Sequence, residues 1–353
     1  MSSTSFSDKL TGSGAQFATY AGTETPLTFG DPRREFRALR TGCALLDLSW
    51  RAKLVISGED RTRWLNGMIT NNVRDLPLNR GNYSFVLNPQ GHVQGDLVAY
   101  NRGDYFLLST DRDQVEGTRE FFDRHIIMDD VEVSDISAEL ASIAVVGPGA
   151  RQLLARAGIS LRELQPYEVQ DFDWNGVGLT AARGPALPAS FEFWMHPDNA
   201  APLWDNLISA GAMPVGTMAW EWLRISLGVP RFRLDIRERD LPQETGQQHA
   251  LHFNKGCYVG QEIVERIHSR GSVHRVFAGF RVEGAVPRPG AKIQWGGKDV
   301  GEITSAAAIP RVSTDGADLA LALGYVRREA AAPGTEVKID ADTARVESLP
   351  FAI

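Results

Sequence analysis

The character of the chain changes near Val276, and this change limits the possible folds more than any other feature of the sequence. Beyond it, strand-like segments are separated by turns rich in Gly, Pro and Asp: FAGFRV, AKIQW, GEITSA, LALALGYV and TEVKI. Short strands at this spacing are typical of a small barrel or sandwich. Before it, strand-like segments such as KLVISG alternate with helix candidates such as DRDQVEGTREFFDRHI, which Asp111 is placed to cap. The sequence therefore predicts an α+β fold over roughly the first 270 residues, followed by an all-β unit.

The length of the chain requires more than one packed unit. A single hydrophobic core usually stops growing at about 250–300 residues, and this chain has 353. We predict a flexible tail over residues 1–20, a first α+β domain over 21–140, a second over 141–270 and a β-barrel over 271–353.

The composition is that of an ordinary soluble protein. Hydrophobic residues make up 43% of the chain, and its net charge of −7 argues against a nucleic-acid partner held by bulk charge. No apolar run approaches the ~18 residues that a membrane span needs. Cys43 and Cys257 are too few for a disulfide scaffold and suit a reducing compartment, and Cys43 lies in an apolar segment that predicts burial. We expect a cytoplasmic monomer that binds neither membrane nor nucleic acid.

Several common active-site motifs are absent from the sequence. The chain has no G-x-G-x-x-G after a strand, no P-loop, no C-x-x-C, no histidine pair at metal-ligand spacing and no G-x-S-x-G. These absences exclude the commonest nucleotide-binding, redox and hydrolase classes, and they predict that the chain has no metal site.

Cys257 stands in an unusual setting. It lies between Gly256 and Tyr258, two residues after Lys255 and shortly before Gly260. Glycine allows a tight turn and the close approach of another group, and positive neighbours raise the thiolate fraction of a cysteine. A reactive thiol and a small buried hydrophobic side chain are both compatible with this pattern.

The segment KGCYVGQE resembles the signature of the YgfZ family, a group of folate-binding proteins related to the T-protein (aminomethyltransferase) of the glycine cleavage system. The stretch LLDLSWRAKLVISGEDRTRWLNGMITNNV and the run from PRPGAKIQWGGKDVGEITSAA to LALGYV are also similar to this family. The resemblance implies a three-domain folate-binding fold with a terminal β-barrel, in which a central cavity holds tetrahydrofolate or a one-carbon derivative.

The resemblance also implies two main folate contacts. Glu192, in the strand SFEFWMH, matches a family glutamate that would accept two parallel hydrogen bonds from the donor edge of a reduced pterin, although Ser190 replaces a glycine. Arg224 matches a family arginine suited to the carboxylates of the folate tail, although Trp220 replaces the first arginine of that pattern. The alternatives are a solvated strand carboxylate and surface ion pairs, respectively.

Further cofactor contacts are predicted from side-chain chemistry. Tyr83 and Trp64 could stack on the pterin or aryl ring, although aromatic residues at such spacing more often belong to a core. Asn88 and Gln261 carry amides that could meet polar edges of the ligand. Asn88, which precedes Pro89, equally fits a turn residue that caps its own backbone.

Asp96 is the acid–base candidate. In aminomethyltransferases, the segment similar to GHVQGDLVAY carries two adjacent aspartates, whereas this chain has Gly95 and Asp96. A general acid or base must lie within hydrogen-bond reach of its proton, so the missing carboxylate argues against aminomethyl transfer. The predicted catalytic set is Cys257, Asp96 and Lys255.

These observations favour the hypothesis of a tetrahydrofolate-binding accessory protein. It would support assembly or repair of iron–sulfur enzymes and the tRNA modification that depends on them, and its partners would be reduced folate and iron–sulfur enzymes or their assembly proteins. Two alternatives stay open: an aminomethyltransferase that forms methylene-tetrahydrofolate from an aminomethyl-lipoyl carrier, and a folate-independent interaction scaffold.

Overall fold

The computed structural model describes residues 6–185, 189–271, 273–312 and 316–353. The α-helices in these ranges are α1 (Phe6–Gly12), α2 (Pro32–Thr41), α3 (Arg61–Met68), α4 (Val115–Asp123), α5 (Ala150–Arg156), α6 (Ala200–Ser209), α7 (Thr217–Leu227) and α8 (Gln261–Arg270). The strands are β1 (Gln16–Tyr20), β2 (Thr23–Thr28), β3 (Ala44–Asp47), β4 (Arg51–Ser57), β5 (Gly81–Leu87), β6 (Val93–Asn101), β7 (Phe106–Asp111), β8 (Glu132–Asp135), β9 (Ala141–Val146), β10 (Val169–Trp174), β11 (Val177–Arg183), β12 (Ser190–Met195), β13 (Met213–Val215), β14 (Arg275–Glu283), β15 (Lys292–Trp295), β16 (Lys298–Ile309), β17 (Leu319–Arg327), β18 (Glu336–Ile339) and β19 (Asp342–Glu347).

The chain divides into two compact units, each built from separate stretches of sequence. The first unit contains the described parts of residues 1–66, 72–84 and 97–220. The second unit contains residues 67–71 and 85–96 and the described parts of 221–353. The predicted boundaries at residues 140 and 270 differ from this division, in which each unit draws on distant parts of the chain.

The first unit contains a six-stranded sheet in the order β10-β11-β12-β9-β3-β13. β3 and β13 are parallel, and the other neighbours are antiparallel. Alternate residues of β12, Phe191, Phe193 and Met195, belong to one buried cluster with Trp204 of α6. Because successive side chains of a strand point to opposite faces, Glu192 and its neighbour Trp194 point away from this cluster.

A second sheet has the order β5-β6-β7-β4-β8. β4 pairs antiparallel with β7, which sets Lys53 opposite Ser109, and also with β8. Asp111, predicted to cap a helix, is instead the last residue of β7, and α4 begins at Val115 after a 3-10 turn. The Asp111 side chain makes no capping hydrogen bond because its carboxylate accepts one from Arg51 Nη1 at 2.6 Å.

The segment predicted as a flexible tail differs from that prediction where it is described. Residues 1–5 lie outside the described residues. Phe6–Gly12 forms α1, and Gln16–Tyr20 pairs antiparallel with β2. Leu10 is buried in the same cluster as Phe193, so burial of apolar area holds this helix in place.

The second unit contains a closed barrel in the order β14-β17-β16-β15-β18-β19. Gly301 allows β16 and β17 to lie close together, because a Cβ there would stand 2.1 Å from the Tyr325 carbonyl oxygen. The sequence predicted every strand of this barrel except β19, in which only Ala344 and Val346 are apolar. The predicted α+β fold with a C-terminal barrel is confirmed. Within the described residues, no helix has the length and apolar character needed to span a membrane.

Candidate functional site

The Glu192 carboxylate forms an ion pair with Lys53 of β4. Lys53 Nζ lies 2.8 Å from Glu192 Oε1, 3.2 Å from Ser109 Oγ and 5.3 Å from the ring centroid of Trp194. Lys53 is fully buried, whereas 18% of the Glu192 side chain is exposed. The ion pair therefore links β4 to β12, which belong to different sheets, and leaves part of the Glu192 side chain accessible.

Arg51, two residues before Lys53 on the same strand, adds a second cation to this cluster. Its Nη1 donates to Asp111 Oδ1 at 2.6 Å, and its Nη2 donates to Ser109 Oγ at 3.0 Å. Ser109 therefore accepts hydrogen bonds from both cationic side chains. The positive charge of Arg51 is already paired with Asp111, while that of Lys53 is directed at Glu192.

The charge state of Glu192 results from two opposing effects. Burial disfavours the charged carboxylate, but Lys53 and, to a smaller degree, Arg51 outweigh this penalty and lower the pKa of Glu192 below its ordinary value. Burial also lowers the pKa of Lys53, an effect that Glu192 partly offsets. Glu192 thus presents an ionised, acceptor-only carboxylate at neutral pH.

Aromatic side chains surround this ion pair. The rings of Tyr100 and Trp194 meet edge to face with centroids 5.0 Å apart, and both belong to a buried cluster that includes Leu107 and Val169. Burial, followed by the charge of Glu192, raises the pKa of Tyr100 well above its ordinary value, so its hydroxyl is neutral at physiological pH. The carboxylate therefore lies beside an apolar, aromatic environment in which a charge-assisted hydrogen bond is strong.

Sequence reasoning identified Glu192 but missed Lys53, Arg51 and Ser109. The signal for Lys53 was a charged residue inside the apolar strand KLVISG, where alternation alone does not say which face is buried. Its partner is 139 positions away in the chain, and no local pattern joins the two.

Arg224 corrects another prediction, because it binds inside its own unit. Its side chain is only 6% exposed. Nε and Nη2 donate to the Glu221 carboxylate, Nη1 donates to Asp235 Oδ2 and to the Val229 carbonyl, and Nη2 also donates to Ser305 Oγ. An arginine has five N–H donors, and each of these has a partner, which leaves none for a folate carboxylate. The alternative of ion pairing holds, although the pairs are buried.

The segment KGCYVGQE forms a tight turn that leads into α8. Gly260 has a φ of +82°, and a Cβ there would stand 2.6 Å from the Asn88 carbonyl oxygen, so both the conformation and the close approach require glycine. Tyr258 is buried, whereas Cys257 is exposed. Cys257 is therefore not the buried hydrophobic residue of the alternative interpretation. Cys43, by contrast, is partly buried, and burial raises the pKa of its thiol to about 11.

Lys255 holds the backbone rather than activating a thiol. Its ammonium donates to the carbonyl oxygens of Ile69 and Asn71, each at 2.6 Å, and lies 5.0 Å from the ring centroid of Tyr258. These contacts occupy the charged group in tying residues 69–71 to the KGCYVGQE turn. The predicted catalytic role of Lys255 is therefore replaced by a structural one.

Two other candidates are also structural. Asn88 caps its own turn, since its Oδ1 accepts from the His92 amide at 3.0 Å and its backbone pairs with His92 and Gly91. Trp64 is 4% exposed, and its Nε1 donates to the His125 carbonyl, so it belongs to the core and cannot stack on a ligand.

Tyr83 in β5, Asp96 in β6 and Gln261 at the start of α8 are half-buried, and their roles stay predictions. Glu192 and Tyr83 lie in the first unit; Asp96, Asn88, Arg224, Lys255, Cys257 and Gln261 lie in the second. Within the described ranges, His, Cys, Asp and Glu side chains form no group of three or more that could hold a metal ion.

Residues 6–255 match the GCVT N-terminal domain, and residues 275–351 match the glycine cleavage T-protein C-terminal barrel domain. The chain belongs to the glycine cleavage T-protein family. These matches support the T-protein/YgfZ-like superfamily as a whole, but they do not single out the YgfZ family that the KGCYVGQE motif predicted.

Relatives within this T-protein family match nearly the whole chain. The aminomethyltransferase of Rubrobacter xylanophilus is 32% identical over 345 residues, which cover 96% of this chain and 91% of that protein. The aminomethyltransferase of Geobacillus sp. (strain WCH70) is 26% identical over 348 residues, with coverages of 96% and 94%. The crystal structure of glycine cleavage system aminomethyltransferase T from Bartonella henselae has the same fold, with a TM-score of 0.87 at 23% identity, covering 98% of this chain and 96% of that chain.

These T-protein relatives overturn one prediction and support another. The favoured hypothesis of an accessory protein for iron–sulfur enzymes is wrong, because three relatives that match over nearly the full length of the chain are aminomethyltransferases. Aminomethyltransferases of this family use tetrahydrofolate, which agrees with the predicted cofactor. The cytoplasmic location and the monomeric state stay predictions.

Proposed function

We propose that this protein is an aminomethyltransferase that transfers a one-carbon unit to tetrahydrofolate. In the overall reaction the aminomethyl group leaves a lipoyl sulfur, its carbon becomes the methylene group of methylene-tetrahydrofolate, and ammonia is released. The observation that carries the proposal is the match to an aminomethyltransferase over 96% of this chain and 91% of the relative. A match that includes both the N-terminal region and the barrel favours the chemistry of the family over a shared fold with a different activity.

Glu192 is the proposed anchor for the pterin. Its carboxylate is held by Lys53 at 2.8 Å, keeps part of its surface exposed and lies beside Trp194. A reduced pterin offers a ring N–H and an amino group side by side, and a carboxylate can accept both with charge-assisted hydrogen bonds. Tyr83, which lies in the same unit as Glu192, is a further proposed contact, whereas Arg224, Asn88 and Trp64 are not, because their side chains serve the fold.

Asp96 is the proposed acid–base group. It is half-buried in β6, and it is the single carboxylate in a segment where the resemblance implies two. Tetrahydrofolate, when bound, supplies the nitrogen atoms that accept the carbon, and Asp96 would move a proton at this step. The sulfur in the overall reaction belongs to the lipoyl carrier, and we assign no step of it to the exposed thiol of Cys257.

A coupled assay with an aminomethyl-lipoyl carrier protein and tetrahydrofolate tests the proposal. We expect wild-type protein to form methylene-tetrahydrofolate, and Asp96→Asn to lower kcat about 100-fold or more, in the range of general acid–base catalysis. Glu192→Gln should raise KM for tetrahydrofolate about 10–100-fold, the loss expected for hydrogen bonds to a charged group. Glu336→Gln, at an exposed strand glutamate of the barrel, is the matched control and should leave both constants unchanged.

Calorimetry separates the competing outcomes. Wild-type protein that binds tetrahydrofolate but gives no turnover with the loaded carrier would contradict aminomethyl transfer while retaining a folate-binding role. Wild-type protein that gives no binding heat with tetrahydrofolate would instead favour the folate-independent scaffold.

A further inference from the structure

Lys53 is a fully buried lysine whose ammonium contacts groups of the candidate site. Its Nζ meets Glu192 Oε1 at 2.8 Å, Ser109 Oγ at 3.2 Å and the face of the Trp194 ring. An ammonium removed from water is costly unless it is paired and hydrogen-bonded. The contacts therefore fix the position of Lys53, and through the ion pair they fix one oxygen of Glu192.

The chemistry of a donor edge makes the charge state of Glu192 decisive. An ionised carboxylate is acceptor-only, whereas a protonated carboxyl carries an O–H donor that would face the N–H donors of a pterin. Burial by itself favours the protonated form. Lys53 is the nearest charge that opposes this effect.

We propose that Lys53 is a positioning residue for the pterin, which holds Glu192 in the orientation and charge state that accept two parallel N–H donors. This inference deepens the proposed function and rests on it, because it assumes that Glu192 faces a reduced pterin. It assigns to Lys53 no contact with the ligand and no proton transfer.

The other groups that face Glu192 do not replace Lys53. Arg51 of β4, Tyr100 of β6 and Trp194 of β12 lie beside Glu192, whereas Asp111 of β7 pairs with Arg51, and Tyr167, in the loop before β10, lies near Tyr100. Arg51 is already paired with Asp111. Burial raises the pKa of both Tyr100 and Tyr167, so their hydroxyls stay neutral at physiological pH. Lys53 alone among these groups donates a charged hydrogen bond to Glu192.

The test measures Kd for tetrahydrofolate by calorimetry between about pH 5.5 and 8.5, where an ordinary glutamate stays ionised. We expect the wild-type Kd to vary little across this range. Lys53→Met should weaken binding about 10–100-fold near neutral pH, and affinity should recover as the pH rises and Glu192 ionises. Glu192→Gln should weaken binding equally at every pH. Lys338→Met, at an exposed strand lysine of the barrel, is the matched control.

A double variant separates positioning from folding. Lys53→Met leaves Glu192 without its ion-pair partner and lowers stability, so thermal unfolding of each variant accompanies the titrations. Lys53→Met/Glu192→Gln removes both charges and should bind no more weakly than Glu192→Gln. If Lys53→Met alone does not fold, this comparison decides by itself: equal affinities support the proposal, and a further loss overturns it.

Different results would overturn the folate-dependent function and the role of Lys53. Wild-type protein that binds no tetrahydrofolate overturns both the folate-dependent function and the role of Lys53. Wild-type protein that binds it, while Lys53→Met keeps the same Kd and the same pH profile, overturns the role of Lys53 alone.

Discussion

Arg224 and Asp235 form a buried ion pair that links α7 to the barrel within the second unit. Arg224 Nη1 lies 2.6 Å from Asp235 Oδ2, and the two side chains are 6% and 0% exposed. The other carboxylate oxygen of Asp235 accepts hydrogen bonds from the hydroxyls of Thr304 and Ser305 in β16. Thr304 and Ser305, which lie in the family-like run PRPGAKIQWGGKDVGEITSAA, therefore hold a buried aspartate.

Removal of Asp235 should destabilise the protein strongly. Asp235→Ala removes one of the two carboxylates that pair with the buried Arg224 and also removes the acceptor of the Ser305 hydroxyl, so we expect a loss of about 3–5 kcal/mol in the free energy of unfolding. Chemical denaturation followed by tryptophan fluorescence measures this loss. Asp299→Ala, at an exposed position of the same strand, is the control and should change stability by less than about 0.5 kcal/mol.

Because Arg224 is occupied by this ion pair, we expect it to contribute little to the affinity for tetrahydrofolate. Arg224→Met should lower stability, while the affinity of the remaining folded protein for tetrahydrofolate should stay within about threefold of wild type, a difference of under 1 kcal/mol. An affinity loss of tenfold or more in a variant of unchanged stability would instead restore Arg224 as a contact of the folate tail.

Gly260 should tolerate no side chain, for two separable reasons. Gly260→Ala places a Cβ 2.6 Å from the Asn88 carbonyl oxygen at a φ of +82°, so it combines a clash with left-handed strain of about 1–2 kcal/mol. Gly246 has a φ of +75° and no atom near its Cβ position, so Gly246→Ala should cost the strain alone. Equal losses of stability in the two variants would show that the approach of Asn88 is not restrictive.

The ion pair of Glu192 should appear in the acid stability of the protein. The pKa of Glu192 is lower in the folded protein than in the unfolded chain, where it is about 4.3. Its ionised form therefore contributes stability above about pH 4.3, and this contribution disappears as the pH falls through the lower folded-state pKa.

Urea denaturation of wild type and Glu192→Gln, repeated between about pH 6 and pH 3, measures that contribution. The difference in unfolding free energy should be largest near pH 6 and should shrink with acidification. Glu336→Gln should show a small difference throughout. A Glu192→Gln difference that grows as the pH falls would contradict the lowered pKa.

The two cysteines should differ in reactivity. Cys257 is exposed, whereas burial raises the pKa of the partly buried Cys43 thiol to about 11, which keeps it protonated and unreactive at neutral pH. Titration with a disulfide reagent at pH 7.5 should therefore modify one thiol quickly and the second only after unfolding. Cys257→Ser should remove the fast phase, and Cys43→Ser should leave it intact; two thiols with equal native rates would refute this assignment.

Local sequence patterns were enough to predict most barrel strands and the family resemblance. Alternation and glycine turns predicted the strands of the barrel apart from β19, and KGCYVGQE pointed to folate-binding relatives. Local patterns failed where a side chain had two chemically reasonable partners. Asp111 suited a helix cap but pairs with Arg51, and Asn88 suited a ligand but caps its own turn.

What the sequence by itself determined is the α+β class, most strands of the barrel and the superfamily, because these follow from periodicity and from residue types that few backbone conformations accept. Only the tertiary structure decided what the charged residues do. Lys53 and Glu192 are 139 positions apart. Arg224 of α7 donates a hydrogen bond to Ser305 of β16, a separate element of the same unit. Whether such a group faces solvent or must find a buried partner depends on how distant strands and helices pack, since burial is what makes an unpaired charge costly.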